Sequence, residues 1–440
     1  MRRMRYGGTV WIDDVPEGWN IGRLKSYFTY TKGLNITKSD LTESGIPVIS
    51  YGQIHAKTNS GVSLKPELLR FVSPDVARES PSAKLDVGDI VFADTSEDYE
   101  GLGNCVLVDR EGVYAGYHDL VAKAKAPAFS KYFAYLFQTD VWRDQFRSRV
   151  GGIKVYSLTQ RGLNDVYVLA PPLHVQRKIT DYLDSQCAEI ERSIADAQVV
   201  IQDYLQYKVA AITHAVTYGI GAAEKTLPSE LKWVIERPAG WSRTQLSYLC
   251  GRGITYGIVK LGDYAVNGVN VIRCSDVKDG YLDLSGMRTV AHELSQEYRR
   301  TVLRGGEVLV NVRGTLGGCA VVPSDLAGAN IAREVAMLDV MPEKACSRFV
   351  MYNLLSNSFK NYVGLEMSGA IYQGLNIATL CRYSFYAPPL KEQKRIADYL
   401  DEKCADIEAV VADRENQIAE LESYKKSLIF EVVTGKREVA

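Results

Sequence analysis

The sequence predicts an α+β protein: two α+β domains separated by a pair of long antiparallel coiled-coil helices, the whole built as an internal pseudo-two-fold repeat. Three observations lead there. A 27-residue segment recurs at a constant offset, each copy runs into a proline- and glycine-free heptad stretch, and each copy is preceded by a longer run of mixed strand and helix signals whose sequence is not repeated.

The repeat comes first because it fixes the organisation. APPLHVQRKITDYLDSQCAEIERSIAD at 170–196 aligns without a gap on APPLKEQKRIADYLDEKCADIEAVVAD at 387–413, with 16 of 27 positions identical at an offset of 217. The offset carries back to Gly152 and Gly369 and forward to Val216-Thr217 and Val433-Thr434. PEGW at 16–19 and PAGW at 238–241 mark where each copy begins. Between these anchors only fragments correspond, such as LDVGDIVF (85–92) with LRGGEVLV (303–310). A common frame therefore presents two different surfaces, an arrangement suited to two different targets. The boundaries expected are a first domain at 1–170, a helix at 171–217, a linker at 218–235, a second domain at 236–387, a second helix at 388–434 and a tail at 435–440.

Ala-Pro-Pro-Leu opens each frame segment, and proline suits the start of a helix, where its missing N–H is not needed. Beyond it, Ile190, Ile194, Ala197, Ile201, Tyr204, Lys208, Ala211 and Ala215 recur at alternating spacings of four and three. Ile407, Val411, Arg414, Ile418, Leu421, Lys425, Leu428 and Val432 do the same in the second copy. Charged residues at three of these positions argue for one short pairing between the two stripes rather than a long oligomeric coiled coil. The expected pairing residues are Ile190, Ile194, Ile201 and Tyr204 with Ile407, Val411, Ile418, Leu421 and Leu428. A thirty-residue helix is about 45 Å long, more than one turn of B-DNA at about 34–36 Å. The blander alternative is a helix pair that merely closes a two-domain core.

The divergent domains show short strand-like runs: IPVISYGQI (46–54), GDIVFA (88–93) and NCVLVD (104–109), then VNVIRCSDV (269–277), GEVLVNV (306–312) and GCAVVP (318–323). Helical patterns appear near 130–147 and 346–363. The chain holds 27 tyrosines, many beside polar or basic residues able to reach phosphate oxygens and base edges. Tyr51, Gln53, His55 and Lys57, then Lys154 and Tyr156, are candidates in the first domain; Tyr256, Lys260, Arg273, Arg313, Tyr372 and Gln373 are candidates in the second. Arg313, in NVRGTLGG, follows a strand and sits among glycines that let a loop approach a ligand closely. For any one of these tyrosines, ordinary surface packing is the competing explanation, and for Arg313 a structural salt bridge.

Net charge is −1, but it is unevenly spread. Segments 1–170 and 236–387 carry 21 basic against 20 acidic and 16 against 13 residues, whereas 171–235 and 388–440 carry 6 against 8 and 9 against 12. The globular parts are thus the ones that tolerate phosphate. Eight scattered cysteines form no CxxC pair and no zinc spacing, so they read as reduced, packed thiols, and no metal site is expected. No apolar run reaches the roughly 20 residues of a membrane span, and no apolar segment follows the basic start, so a cytoplasmic location without membrane contact is expected. The chain lacks a P-loop, an Asn/Asp-Pro-Pro-aromatic methyltransferase motif and a serine nucleophile elbow, which argues against an enzyme. His118, beside Asp119, reads as structural.

Two copies of PPL-x-x-Q-x-x-I-x-x-x-L ahead of a heptad helix, each preceded by a divergent domain beginning near PxGW, resemble the specificity subunits of type I restriction-modification systems. The resemblance runs from about Pro16 to Thr434 and includes the VVTGK ending at 432–436. This chain departs from the pattern at Val175, where Glu392 stands in the second copy, and at Val-Thr-Tyr (216–218) in place of Val-Thr-Gly. The resemblance implies a non-catalytic DNA-binding protein whose two target-recognition domains each read one half of a bipartite double-stranded site. It implies helices that set the spacer and dock two modification (methyltransferase) subunits, with restriction (translocase/nuclease) subunits joining them. It also implies that S-adenosylmethionine, ATP and Mg2+ belong to those partners, which methylate adenine and cleave, and that this chain itself holds no cofactor. A two-headed protein-interaction scaffold without DNA recognition is the alternative reading.

Overall fold

The computed structural model of the chain describes residues 4–12, 14–59, 61–125, 130–148, 156–221, 225–314, 317–367 and 374–439. The chain divides into two compact units, residues 1–196 with 416–440 and residues 197–415.

In unit 1 a four-stranded antiparallel sheet runs in the order Phe28–Lys32, Asp119–Ala124, Ile90–Ala93, Cys105–Leu107. A three-stranded sheet runs Tyr114–Ala115, Ile46–Ile49, Arg70–Val72, its first pair parallel and its second antiparallel. Asn20–Arg23 pairs with Tyr167–Ala170, and Met4–Tyr6 with Asp14–Pro16. Two short helices, Ser130–Leu136 and Asp140–Arg147, bury Tyr132, Phe133, Trp142 and Phe146 in the core of this unit, with Phe137 from the turn between them.

Unit 2 repeats every one of these sheets. Its four-stranded sheet is Cys250–Tyr256, Val335–Val340, Val308–Asn311, Cys319–Val321. Its three-stranded sheet is Asn330–Ile331, Val269–Ile272, Arg288–Val290, again one parallel and one antiparallel pair. Ser242–Gln245 pairs with Ser384–Ala387, Thr226–Pro228 with Glu236–Pro238, and the helices Ser347–Leu355 and Asn357–Met367 take the place of the two short helices of unit 1. Among the described residues, only the ribbon of Thr95–Ser96 with Tyr156–Ser157 has no counterpart. The run at 46–54, expected as one strand, turns after Ile49 into the short helix Tyr51–Ile54, because Ser50 and Gln53 form a capping box.

The long helices are Leu173–Tyr218 and Leu390–Val433, and each contributes one stretch to each unit. The motif that announces them is structural. Gln176 and Gln393 donate from Nε2 to the carbonyls of Pro171 and Pro388, at 2.7 and 2.9 Å, tying the helix start to the proline turn. The Ile and Leu of the motif, Ile179 and Leu183 in one copy and Ile396 and Leu400 in the other, are fully buried in their unit's core. Each such side chain contributes about 1.5–3 kcal/mol by burial.

Within unit 1 the helix stretches run antiparallel: Lys425 meets Glu191 at 2.6 Å, and Leu428, Ile429, Val432 and Val433 share a core with Ile179, Leu183, Cys187 and Ile190. Ile194 and Leu421 pack at the edge of that core. Within unit 2, Lys208 meets Glu408 at 2.6 Å, Lys403 lies over the ring of Tyr207, and Gly219 approaches Glu392, again an antiparallel course. Ile407 is buried, whereas Ile201, Tyr204, Val411 and Ile418 are half-buried. The seam is covered fully only where a domain packs on it.

The expected boundaries need two corrections. Residues 225–235, assigned to a linker, belong to unit 2, because Leu231 and Val234 are buried in its core and Thr226–Pro228 pairs with Glu236–Pro238. Gly435, assigned to the C-terminal tail, packs within unit 1, where an added Cβ would lie 2.4 Å from Pro16 Cγ and 3.0 Å from Trp19. In the first copy the equivalent turn is one residue late. Gly219, with a φ of 86°, ends the helix after Tyr218 and sits against Trp241, so Val-Thr-Tyr lengthens the helix without removing its glycine stop. The two tryptophans of PxGW thus close the ends of the helices.

Candidate functional site

The hydrogen bonds of the two units superpose position by position, which identifies loop residues that stand in equivalent places. Gly116 N donates to Ile49 O in unit 1, and Ala332 N to Ile272 O in unit 2. Asp94 N donates to His118 O, and Val312 N to Glu334 O, both at 2.9 Å. Leu158 N donates to Asp94 O, and Leu375 N to Val312 O. Ser50 N donates to Gln53 Oε1 at 2.8 Å, and Arg273 N to Asp276 Oδ2 at 2.9 Å. Gly33 and Gly257 occupy the same close crossing, where an added Cβ would strike Gly116 O or Ile331 O within 2.0 Å. Hence Tyr51 stands where Cys274 does, Thr95 where Arg313 does, and Tyr117-His118 where Arg333-Glu334 do.

Around these positions unit 1 gathers an aromatic cluster. The Tyr51 ring lies 5.4 Å from both Tyr117 and His118 and 6.3 Å from His55, all edge-on. Tyr117 and His118 are 5.8 Å apart. His55 is held by Thr95 O at Nε2 (2.9 Å) and by Asn104 Nδ2 at Nδ1 (3.1 Å), which the Nε2–H tautomer satisfies at both nitrogens. His118 has a φ of 56°, uncommon outside glycine, and its imidazole is exposed with Nδ1 3.3 Å from Asp94 Oδ1. Behind it Asp119 is buried, Oδ2 accepting from Gly116 N at 2.9 Å and Oδ1 without a hydrogen bond. Burial pushes the Asp119 carboxyl well above the usual range, the Gly116 bond only partly opposing it and Asp94 adding to it.

Unit 2 offers guanidinium groups instead. Arg313 is exposed just beyond Val308–Asn311, its backbone N donating to Glu334 O. Arg333 is also exposed, 3.7 Å from Glu334. Tyr256 accepts from Ile377 N at 3.2 Å through its hydroxyl and packs against the core, while Lys260 is exposed.

Two candidates are engaged in the fold. Gln53 is buried and holds its capping box; Arg273 is bound to both carboxylate oxygens of Asp276 and to Gly286 O. Tyr156 packs edge-on to Tyr99, and Lys57 is exposed. Lys154, Tyr372 and Gln373 lie outside the described residues. Sequence reasoning set His118 aside and passed over Tyr117 and Arg333. The signal that would have found them is a pairing of loops that only strand register reveals.

No described group of three or more acidic, histidine or cysteine side chains could hold a metal ion, and no described helix is long and apolar enough to cross a membrane. The fold and site define a two-headed repeat protein: one scaffold used twice, with unlike side chains at matching loop positions. The chain matches no protein-family model. It is 25% identical over 295 residues to the type I restriction enzyme EcoBI specificity subunit of Escherichia coli, a match spanning 66% of this chain but 62% of that subunit. To the StySPI specificity subunit of Salmonella potsdam it is 21% identical over 443 residues, 96% of this chain and 90% of that one. Its fold matches a chain solved in work on assembly and conformational transition of the type I R-M system, with a TM-score of 0.69 and 21% identity over 96% of this chain and 99% of that one. In sequence and in fold the chain is similar to the specificity subunits of type I restriction-modification systems.

Proposed function

We propose that this chain is the non-catalytic DNA-specificity subunit of a type I restriction-modification complex, each unit reading one half of a bipartite duplex site. The observation that carries this reading is the duplicated sheet topology with exchanged loop chemistry: aromatic and imidazole groups in one unit, guanidinium groups in the other. Arginine reads guanine through a bidentate pair, and tyrosine and histidine reach base edges and phosphates, so the two surfaces suit different sequences. The helical residues shared between the units set the unspecified spacer and dock two modification subunits, and restriction subunits join that assembly. S-adenosylmethionine, ATP and Mg2+ are bound by those partners, which supply methylation, translocation and cleavage.

Mapping methylated adenines in cells that carry the intact system tests this directly, since two unlike half-sites at a fixed gap are expected. Affinity of the assembled complex for duplex DNA falls steeply with salt if phosphates are contacted, and a salt-independent or absent interaction would favour a protein-binding scaffold.

A further inference from the structure

The link between the two sheets of each unit is two residues long, Tyr117-His118 in unit 1 and Arg333-Glu334 in unit 2, with His118 and Arg333 exposed and Tyr117 and Glu334 half-buried. On both sides it is anchored. Ahead of it, Gly116 and Ala332 are buried and hydrogen-bonded to the parallel strands ending at Ile49 and Ile272. After it, Asp119–Ala124 and Val335–Val340 are the second strands of the four-stranded sheets, nearly all buried. The carbonyls of His118 and Glu334 accept equivalent backbone bonds. A link anchored alike at both ends in two units, left-handed at His118 but not at its counterpart Glu334, and exposing an imidazole in one unit and a guanidinium in the other, has the property a recognition element needs: the side chains differ while the frame on either side is kept. The neighbouring turn lacks this freedom, because Gln53 and Asp276 are committed to holding it closed.

We propose that this two-residue link is the base-reading element of each unit, His118 with Tyr117 contacting one half-site and Arg333 the other, where guanine is the base that fits its fork. The proposal rests on the DNA-specificity reading above. His118 is set up for the task, since its left-handed backbone turns the imidazole outward while Asp94 and the Tyr51 ring limit where it points. Arg333 projects from the position that Tyr117 holds in unit 1, with Glu334 at 3.7 Å, and Arg313 borders the link through its backbone bond to the Glu334 carbonyl. Unit 2 therefore clusters two guanidinium groups where unit 1 clusters rings.

The test selects bound duplexes from a randomised library with the full chain assembled with its modification subunits, comparing wild type, His118→Asn and Arg333→Lys. Asparagine tolerates the left-handed backbone, and lysine keeps the charge but loses the bidentate fork. The expected result is about a tenfold loss of discrimination at a base pair of one half-site for His118→Asn, and at a guanine of the other for Arg333→Lys, the spacer unchanged. Thermal unfolding is followed alongside, and should His118→Asn lower Tm, the exposed Arg333→Lys carries the test. Variants that retain the wild-type motif in both halves overturn the proposal and leave the specificity reading standing. A wild-type complex that selects no bipartite motif overturns both.

Discussion

Lys208 Nζ on the first long helix lies 2.6 Å from Glu408 Oε1 on the second, at a seam position where the heptad pattern asks for an apolar residue. Its repeat mate is the pair Lys425 and Glu191, also at 2.6 Å. Both lysines are largely covered and both carboxylates substantially exposed, so each pair is worth about 0–1 kcal/mol. Their effect is on register. A seam lysine facing an acidic residue favours the antiparallel alignment over slipped ones. Lys208→Glu is expected to destabilise the chain by about 1 kcal/mol through the like charge at Glu408, and adding Glu408→Lys to recover most of it. Urea unfolding of the two single variants and the double variant measures this, and a coupling near zero would remove the register argument.

The glycines that end the two long helices predict unequal costs. Gly435 has a φ of 74° and would place a Cβ 2.4 Å from Pro16 Cγ, whereas Gly219, at 86°, would meet Trp241 and Glu392 only at 3.5 Å. Gly219→Ala is therefore expected to cost about 1–2 kcal/mol for the left-handed backbone alone. Gly435→Ala should cost more by about 1 kcal/mol or above, because Pro16 and Trp19 must shift as well. Chemical denaturation of the two variants checks the order.

What was legible in the sequence, and what was not, follows from how each part is held. Gln176, Leu183 and Trp19 were found with their mates Gln393, Leu400 and Trp241 because helix packing and the proline turn leave one residue type at each place. The same offset continues to Lys131, Tyr135 and Asp184, which pair as Arg348, Tyr352 and Asp401 do. It went unseen there because swaps such as Phe133 for Val350 keep the burial and lose the identity. In the divergent domains the offset drifts from 224 at Gly33 and Gly257 to 216 at Gly116 and Ala332, since loops differ in length between strands that correspond. Sequence alone cannot follow such a drift. For the same reason Gln53 and Arg273 were chosen as contact residues, although each lies in the equivalent closed turn of its own unit, while the exposed His118 and Arg333 were not.

Asp119 predicts a pH dependence of stability. Its counterpart in unit 2 is Val335, and the carboxylate in that buried place is costly when charged. A folded-state pKa above the unfolded value means that the native chain binds the extra proton between the two. Stability contributed by this group thus rises as pH falls through the folded pKa and levels off below the unfolded value near 4. Asp119→Asn keeps an acceptor for Gly116 N and removes the titration, so the stability difference between wild type and variant should shift in favour of wild type as pH falls. Denaturation midpoints at a series of pH values measure it, and a difference that does not change with pH would show that Asp119 titrates normally.

The long helices predict a change of spacer without a change of half-site. Four residues inserted into each, between Asp196 and Ala197 and between Glu415 and Asn416, add about 6 Å of helix at about 1.5 Å per residue, close to one full turn. Because four residues come back to nearly the same helical face, the buried side chains within each unit keep their partners, including Lys425 with Glu191 and Lys208 with Glu408. The loops that carry His118, Arg313 and Arg333 are untouched. Methylated-site mapping is therefore expected to return both original half-sites with a gap longer by about one or two base pairs, at about 3.4 Å each. Half-sites that change while the gap stays fixed would mean that the helices take part in reading rather than in spacing.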